Sequence, residues 1–174
     1  MKRALSGSFY LAIGVLAGIA SAIASVDFLG SEQVAKSSNW RAWDTSADSH
    51  VAFYANAHYL LNGRLPPVPG QIGEMSAERD DAGNLLSASC SYVVKAAATR
   101  PGWWSLAAMG TGVSPRASGM LSGDSAVAEN DGTLIIAVGP QPSPGNWIKS
   151  PATGNFQLVF TAAAGNGLFV SRKY

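Results

Sequence analysis

Cysteine, histidine and charge are all scarce in this chain. Its 174 residues hold one cysteine, Cys90, so no intramolecular disulfide can staple the fold and stability must come from packing. In Leu85 to Val94 that thiol reads as a small buried hydrophobe on a strand. The two histidines, His50 and His58, with one cysteine are too few donors for a metal centre, which needs several His, Cys or carboxylate groups to converge. No metal and no other cofactor is expected. Lys and Arg total 12 against 11 Asp and Glu, and charged residues make up only 13% of the chain, about half the usual ~25%. No basic field exists to attract polyanions, which excludes nucleic-acid binding.

Catalytic signatures are missing too. His50 with Asp44 or Asp48 lacks the G-x-S-x-G elbow that would present a serine. Gly110-Thr111-Gly112 lacks the glycine and lysine that complete a phosphate loop. Glu74 and Glu78 share a strand face, but Glu78-Arg79-Asp80-Asp81 reads as a solvated approach to a turn and not as a hydrolytic carboxylate pair. The chain is expected not to be an enzyme.

What is present is an uncharged stretch from Ala4 to Val26 behind Lys2 and Arg3. Each helical residue advances by about 100°. Gly14, Ala17, Gly18, Ser21, Ala22 and Ser25 therefore share one half of the circumference, and Val15, Leu16, Ile19, Ile23 and Val26 fill the other. Lipid supplies no hydrophobic drive between helices, so a smooth small-residue face, with Gly14-x-x-x-Gly18 within it, is the kind that admits a second backbone. Phe9 to Val26 spans about 27 Å and Ala4 to Val26 about 34 Å, enough for a hydrocarbon core of ~30 Å. The competing reading is a secretory signal cleaved after Ala22-Ile23-Ala24. It leaves small residues that begin as early as Gly14 unexplained. Basic residues precede the helix, and no cation follows until Lys36. The expectation is a single pass through a bacterial inner membrane, N-terminus cytoplasmic and the remainder periplasmic.

The expected domains are a transmembrane helix over 1–29, a tether over 30–38 and a periplasmic domain over 39–174. Trp40 and Trp43 read as edge packing on that domain rather than as headgroup anchors. Ser46 is expected to cap a helix from Ala47 to Leu61, with Asp48 in its first turn and Asn62-Gly63 as its stop. After the proline-rich Leu65 to Gly70, short apolar runs between Gly, Pro, Asn and Asp predict strands. They are Gln71 to Glu78, Leu85 to Lys95, Trp103 to Met109, Ser125 to Glu129, Thr133 to Val138 and Asn155 to Thr161. Asp80 to Asn84 and Asn130-Asp131-Gly132 are the clearest turns, the second as a hairpin. Gly139 to Pro151 reads as a stiff loop plugged into the domain by Trp147. The fold class is mainly β: a jelly-roll-like antiparallel β-sandwich with one N-terminal transmembrane helix and one short α-helix.

Ala77-Glu78-Arg79-Asp80 before a glycine turn, Asn130-Asp131-Gly132-Thr133 before an alternating strand, and Gly145-Asn146-Trp147-Ile148-Lys149-Ser150-Pro151 before Phe156 to Phe160 resemble the bacterial family known as domain of unknown function 1214. The resemblance spans about Trp40 to Phe160. It implies a jelly-roll-like sandwich and, for short members, one N-terminal membrane helix. It supplies no catalytic residue. The chain departs from the family pattern after Trp104 and at Phe160, where a basic residue is common.

Low charge with abundant Ala, Gly and Ser fits a surface that spends its life docked, and equally fits a biased genome composition. The leading expectation is a non-catalytic accessory subunit of an inner-membrane complex, photosynthetic or respiratory among the host classes. Its partners are integral membrane subunits and the lipid bilayer, with a homo-oligomer left open. The alternative is an exported ligand-binding or hydrolytic sandwich, favoured by polar groups converging beneath the Gly139 to Pro151 loop.

Overall fold

The computed structural model of the chain describes residues 2–33, 39–46, 49–96, 102–111 and 116–163. It begins with α1 (Lys2–Gly30), which is long and apolar enough to cross a membrane and is exposed from Gly7 to Ala24. Ser25 Oγ donates to the Ser21 carbonyl at 2.8 Å, so this hydroxyl is satisfied inside the helix. The last residue of α1 meets the second helix, α2 (Ala52–Leu61). A Cβ built on Gly30 would lie 3.0 Å from the backbone carbon and Cβ of Tyr54, so glycine is what lets the two helices touch. The tether expected over 30–38 is thus partly structured. Gly30 belongs to the helix, and β1 (Glu32–Gln33) pairs antiparallel with β2 (Trp40–Ala42). Polar composition hides such a strand because edge pairing uses only the backbone. Residues 34–38 lie outside the described residues.

α2 starts later than expected. Ser46 does not cap it; its N–H and hydroxyl both donate to Asp44 Oδ1, at 2.9 and 2.6 Å. Val51 stands at the N-cap with no side-chain bond, and Asp48 lies outside the described residues. The stop is as the sequence predicts: Asn62 is the C-cap, and Gly63 follows with φ 64°.

The remaining strands are β3 (Ile72–Ala77), β4 (Tyr92–Ala96), β5 (Trp104–Gly110), β6 (Ala117–Ser122), β7 (Leu134–Gly139), β8 (Asn146–Lys149) and β9 (Phe156–Ala163). Among the described residues they form a six-stranded sheet, β1-β2-β3-β9-β5-β6, and a three-stranded sheet, β4-β7-β8. The chain is mainly β, and its core lies between these sheets, with Trp40, Met75, Trp104, Phe156, Leu158 and Phe160 from the large one meeting Val94, Ile136, Val138 and Ile148 from the small one. β9 is buried at every position from Phe156 to Phe160 because β3 and β5 pair with it on either side.

The small sheet is mixed rather than antiparallel: β7 and β8 run parallel, Ile136 opposite Asn146 and Gly139 opposite Lys149. Parallel neighbours normally need a crossover of a dozen or more residues. Here the Pro-rich segment 140–145 suffices, because buried Asn146 holds the chain at its return. Its Oδ1 accepts the Val127 N–H at 2.8 Å, and its Nδ2 donates to the carbonyls of Val127 and Ile135 at 2.7 and 3.0 Å. The same bonds explain why Ser125 to Glu129 is not a strand. Val127 spends both backbone groups on a side chain instead of a neighbouring strand, and β6 forms earlier. The Asn130-Asp131-Gly132 turn is present, with Gly132 at φ 82°, but it joins an irregular segment to β7 rather than two strands.

Trp147 stands within β8 and is half-buried, so the expected loop plug is not where the core is filled; Ile148, 1% exposed, takes that place. β8 closes against β6 so tightly that a Cβ on Gly119 would sit 2.6 Å from the Lys149 nitrogen. Cys90 is not a buried strand residue either. Leu86 and Ala88 point inward, whereas Cys90 is exposed in the turn before β4, its N–H bonded to the Ser87 carbonyl at 3.1 Å.

Replacing Ile148 by Ala is expected to cost about 2–5 kcal/mol, the usual range for a buried aliphatic truncation. Trp147→Ala should cost clearly less. Urea unfolding of the full chain in detergent ranks the two, and the reverse order would restore Trp147 as the core plug.

Candidate functional site

β2 and β3 carry a concavity on each face. Side chains alternate along a strand. Trp40, Met75 and Ala77 therefore enter the core, while Arg41, Glu74 and Ser76 point the other way, toward α2.

On the inner side, a cleft of about 780 Å³ opens between β3 and the free edge of β4. Its floor is apolar, with Trp40, Leu86, Val94 and Leu158, and its mouth carries Arg79, Asp80, Cys90 and Lys95. The Asp80 to Asn84 turn is built as the sequence predicts. Asp80 Oδ1 accepts the N–H groups of Ala82 and Asn84, both at 2.9 Å, and Arg79 donates to the Gly83 carbonyl. The cleft lies between β3 and β4, not beneath the segment from Gly139 to Pro151.

On the outer side, α2 covers the sheet. The His58 ring stacks on Trp43 with centroids 4.0 Å apart, and Tyr59 meets Trp43 edge-on. Both tryptophans of the Trp40 and Trp43 pair are buried, as edge packing requires. Beneath Tyr59, Arg64 forms an ion pair with Glu74, their side chains 12% and 13% exposed, and its guanidinium lies 5.2 Å from the centre of the Tyr59 ring. Burial pushes the Glu74 carboxyl above its ordinary range against the opposing pull of Arg64. Burial, followed by the Glu74 charge, raises the Tyr59 phenol as well. A polar recess of about 350 Å³ remains beside this cluster, lined by Asn39, Arg41, His58, Ser76, Glu78 and Arg79 among others.

Sequence reading missed this cluster, and only one signal could have found it. Arg64 is the sole charged residue between Ser49 and Gly73, directly ahead of the isolated outward carboxylate of Glu74. His50 is exposed, and Asp44 is held by Ser46, which lowers its pKa through those hydrogen bonds. Among the described residues no group of three or more His, Cys, Asp or Glu could hold a metal ion. Gly14, Ala17, Gly18, Ser21 and Ala22 are exposed on α1 and Ser25 is half-buried; an added Cβ at Gly14 or Gly18 would meet no atom. Trp147 lines neither concavity.

The family described as protein of unknown function (DUF1214) matches residues 73–165, and the chain belongs to it. The match starts within β3 and takes in every later strand. No curated protein matches the chain. Among solved structures, the VPA0106 protein from Vibrio parahaemolyticus is similar at 18% identity and TM-score 0.54, over 87% of this chain and 39% of that one. An uncharacterized protein from Burkholderia cenocepacia aligns at 17% identity and TM-score 0.46, over 62% of this chain and 30% of that one. The chain thus spans well under half the length of either. The Vibrio likeness is one of fold.

The raised pKa of Glu74 fixes a sign. A carboxyl with folded pKa above its unfolded value stabilises most when protonated, below the unfolded pKa, and that contribution is lost as pH rises through the folded pKa. The stability of the parent minus that of Glu74→Gln should therefore decline as pH rises from about 4 through the acidic range. A difference that is flat or increasing, measured by urea unfolding at several pH values, would mean that Arg64 outweighs burial.

Proposed function

We propose that this family member is a membrane-anchored, non-catalytic accessory subunit of a larger inner-membrane complex, photosynthetic or respiratory in type. α1 crosses the bilayer with Lys2 and Arg3 on the cytoplasmic side, and the sandwich stands in the periplasm. The observation that carries this reading is the state of α1: an apolar helix exposed over its membrane-crossing length, with nothing from its own chain against Gly14 or Gly18. Exposed apolar surface of that extent needs lipid or a partner, and a small-residue face is suited to a second helix. The polar groups that do converge, Arg64 and Glu74, fasten α2 to the sheet, which supports a structural role for them.

A second reading is favoured by the inner cleft. Its volume and its apolar floor with a polar rim suit an apolar or amphipathic small molecule, which makes the domain an exported binding module. Cys90 at the mouth is the sole thiol of the chain and exposed, so a bulky maleimide can be placed there selectively. On this reading the adduct blocks uptake of a fluorescent acyl probe, and undiminished uptake removes the cleft as its site.

For the accessory-subunit reading, Gly18→Leu is expected to lose its partners on purification in gentle detergent, because it adds bulk where backbones must approach. Val15→Leu, on the opposite side, should keep them. Circular dichroism serves as the folding control. Equal recovery of partners by the two variants would return α1 to the role of a plain anchor or signal.

A further inference from the structure

We propose that the outward face of α2 and the loop after it rest on the lipid headgroups, holding the sandwich down on the bilayer beside the end of α1. This rests on α1 being a membrane-spanning helix, and adds a second contact surface to it.

α2 is amphipathic in the wrong sense for a helix bathed in water. Its residues Ala55, His58 and Tyr59 are buried against the domain. At about 100° per residue, Phe53 and Leu60 fall together on the opposite side, and they are 79% and 65% exposed. A water-facing helix side is normally polar. Leu61, 59% exposed, and Leu65, 86% exposed, continue the apolar surface into the loop. Between Ser49 and Gly73 only Arg64 is charged, and it is turned inward onto Glu74, so lipid contact would bury no ion from this segment.

Position selects lipid as the occupant. The contact of Gly30 with Tyr54 puts α2 against the end of α1, where the chain would leave the hydrocarbon. Strand register agrees. β1 begins opposite Ala42, which pairs with Met75, and β3 continues from there to Ile72, opposite Ala163. That rim also receives the start of β5, preceded by Trp103, 52% exposed. The end of α1 and an exposed tryptophan therefore lie at one end of the sheet, and α2 starts beside the end of α1 with its apolar side turned away from the sheet. That is the arrangement of a helix lying in the interface plane with an aromatic at headgroup depth.

The test uses the full chain with Cys90→Ser, one copy per phosphatidylethanolamine and phosphatidylglycerol nanodisc, and nitroxide labels at Leu16→Cys, Leu61→Cys, Leu65→Cys and Ala152→Cys. Ala152 is exposed in the turn before β9, at the end of the sheet away from Trp103. Collision of each label with oxygen, which enriches in lipid, is compared with collision with a water-soluble nickel chelate. Oxygen is expected to dominate at positions 16, 61 and 65, and nickel at 152. Nickel dominance at 61 and 65 with oxygen dominance kept at 16 overturns the proposal and leaves the anchor standing. Nickel dominance at 16 as well overturns the anchor reading and the proposal with it. Exclusion of both reagents at 61 and 65 means a protein partner or second copy covers the face, and overturns lipid as its occupant.

Discussion

The ion pair between Arg64 and Glu74 joins the helical part of the chain to the sandwich. Arg64 follows the C-cap of α2 and Glu74 projects from the outer face of β3, so their contact sets how α2 lies on the sheet. Placing both charges out of water carries a desolvation cost that a simple apolar contact would avoid. The raised pKa of Glu74 shows that burial is the larger influence on this carboxyl. What the pair gives is direction. With Tyr59 over the guanidinium and Trp43 stacked on His58, one rotation of α2 is held, and it turns Phe53 and Leu60 outward.

A second polar residue organises the other end of the domain. Asn146 binds two separate stretches of backbone, at Val127 and Ile135, and in doing so makes a parallel strand pair possible over a short connection. Ile148 then enters the core, and the Ser150 hydroxyl donates to the Ala88 carbonyl at 3.0 Å from a fully buried position. The segment from Gly145 to Pro151, one of the three that carried the family resemblance, therefore has a structural explanation. Its Asn, Ile and Ser each satisfy a separate packing or hydrogen-bonding need, and none of those needs requires a ligand.

Much of the fold was legible because periodicity and turn chemistry are local. β3, β5, β7 and β9 fall where alternating apolar runs placed them, and Gly63, Gly83 and Gly132 adopt positive φ at the expected stops and turns. The failures share one cause. β1, β2 and β8 are short, β6 runs through Ala117-Ser118-Gly119 with few large apolar residues to mark it, and Ser125 to Glu129 looked like a strand until a distant asparagine took its backbone. Cys90 and Trp147 were misplaced because residue type suggests burial, while strand phase and the turn at Ser87 to Cys90 decide it. The outer cluster was invisible for the same reason: Arg64 and Glu74 meet only after α2 has folded back on β3.

The family match runs from Gly73 to residue 165, so Glu74 lies inside it, while α1, α2, Tyr59 and Arg64 lie outside. The boundary between the matched segment and the part of the chain before it is therefore crossed by the Arg64–Glu74 ion pair, by the pairing of β2 with β3 and by Trp40 in the core. The helix long and apolar enough to cross a membrane and the outward-turned Phe53, Leu60 and Leu65 all lie in the segment before the match. Those residues gain nothing from the core, since they do not touch it. Their exposed apolar surface is therefore not accounted for by packing within the described part of the chain.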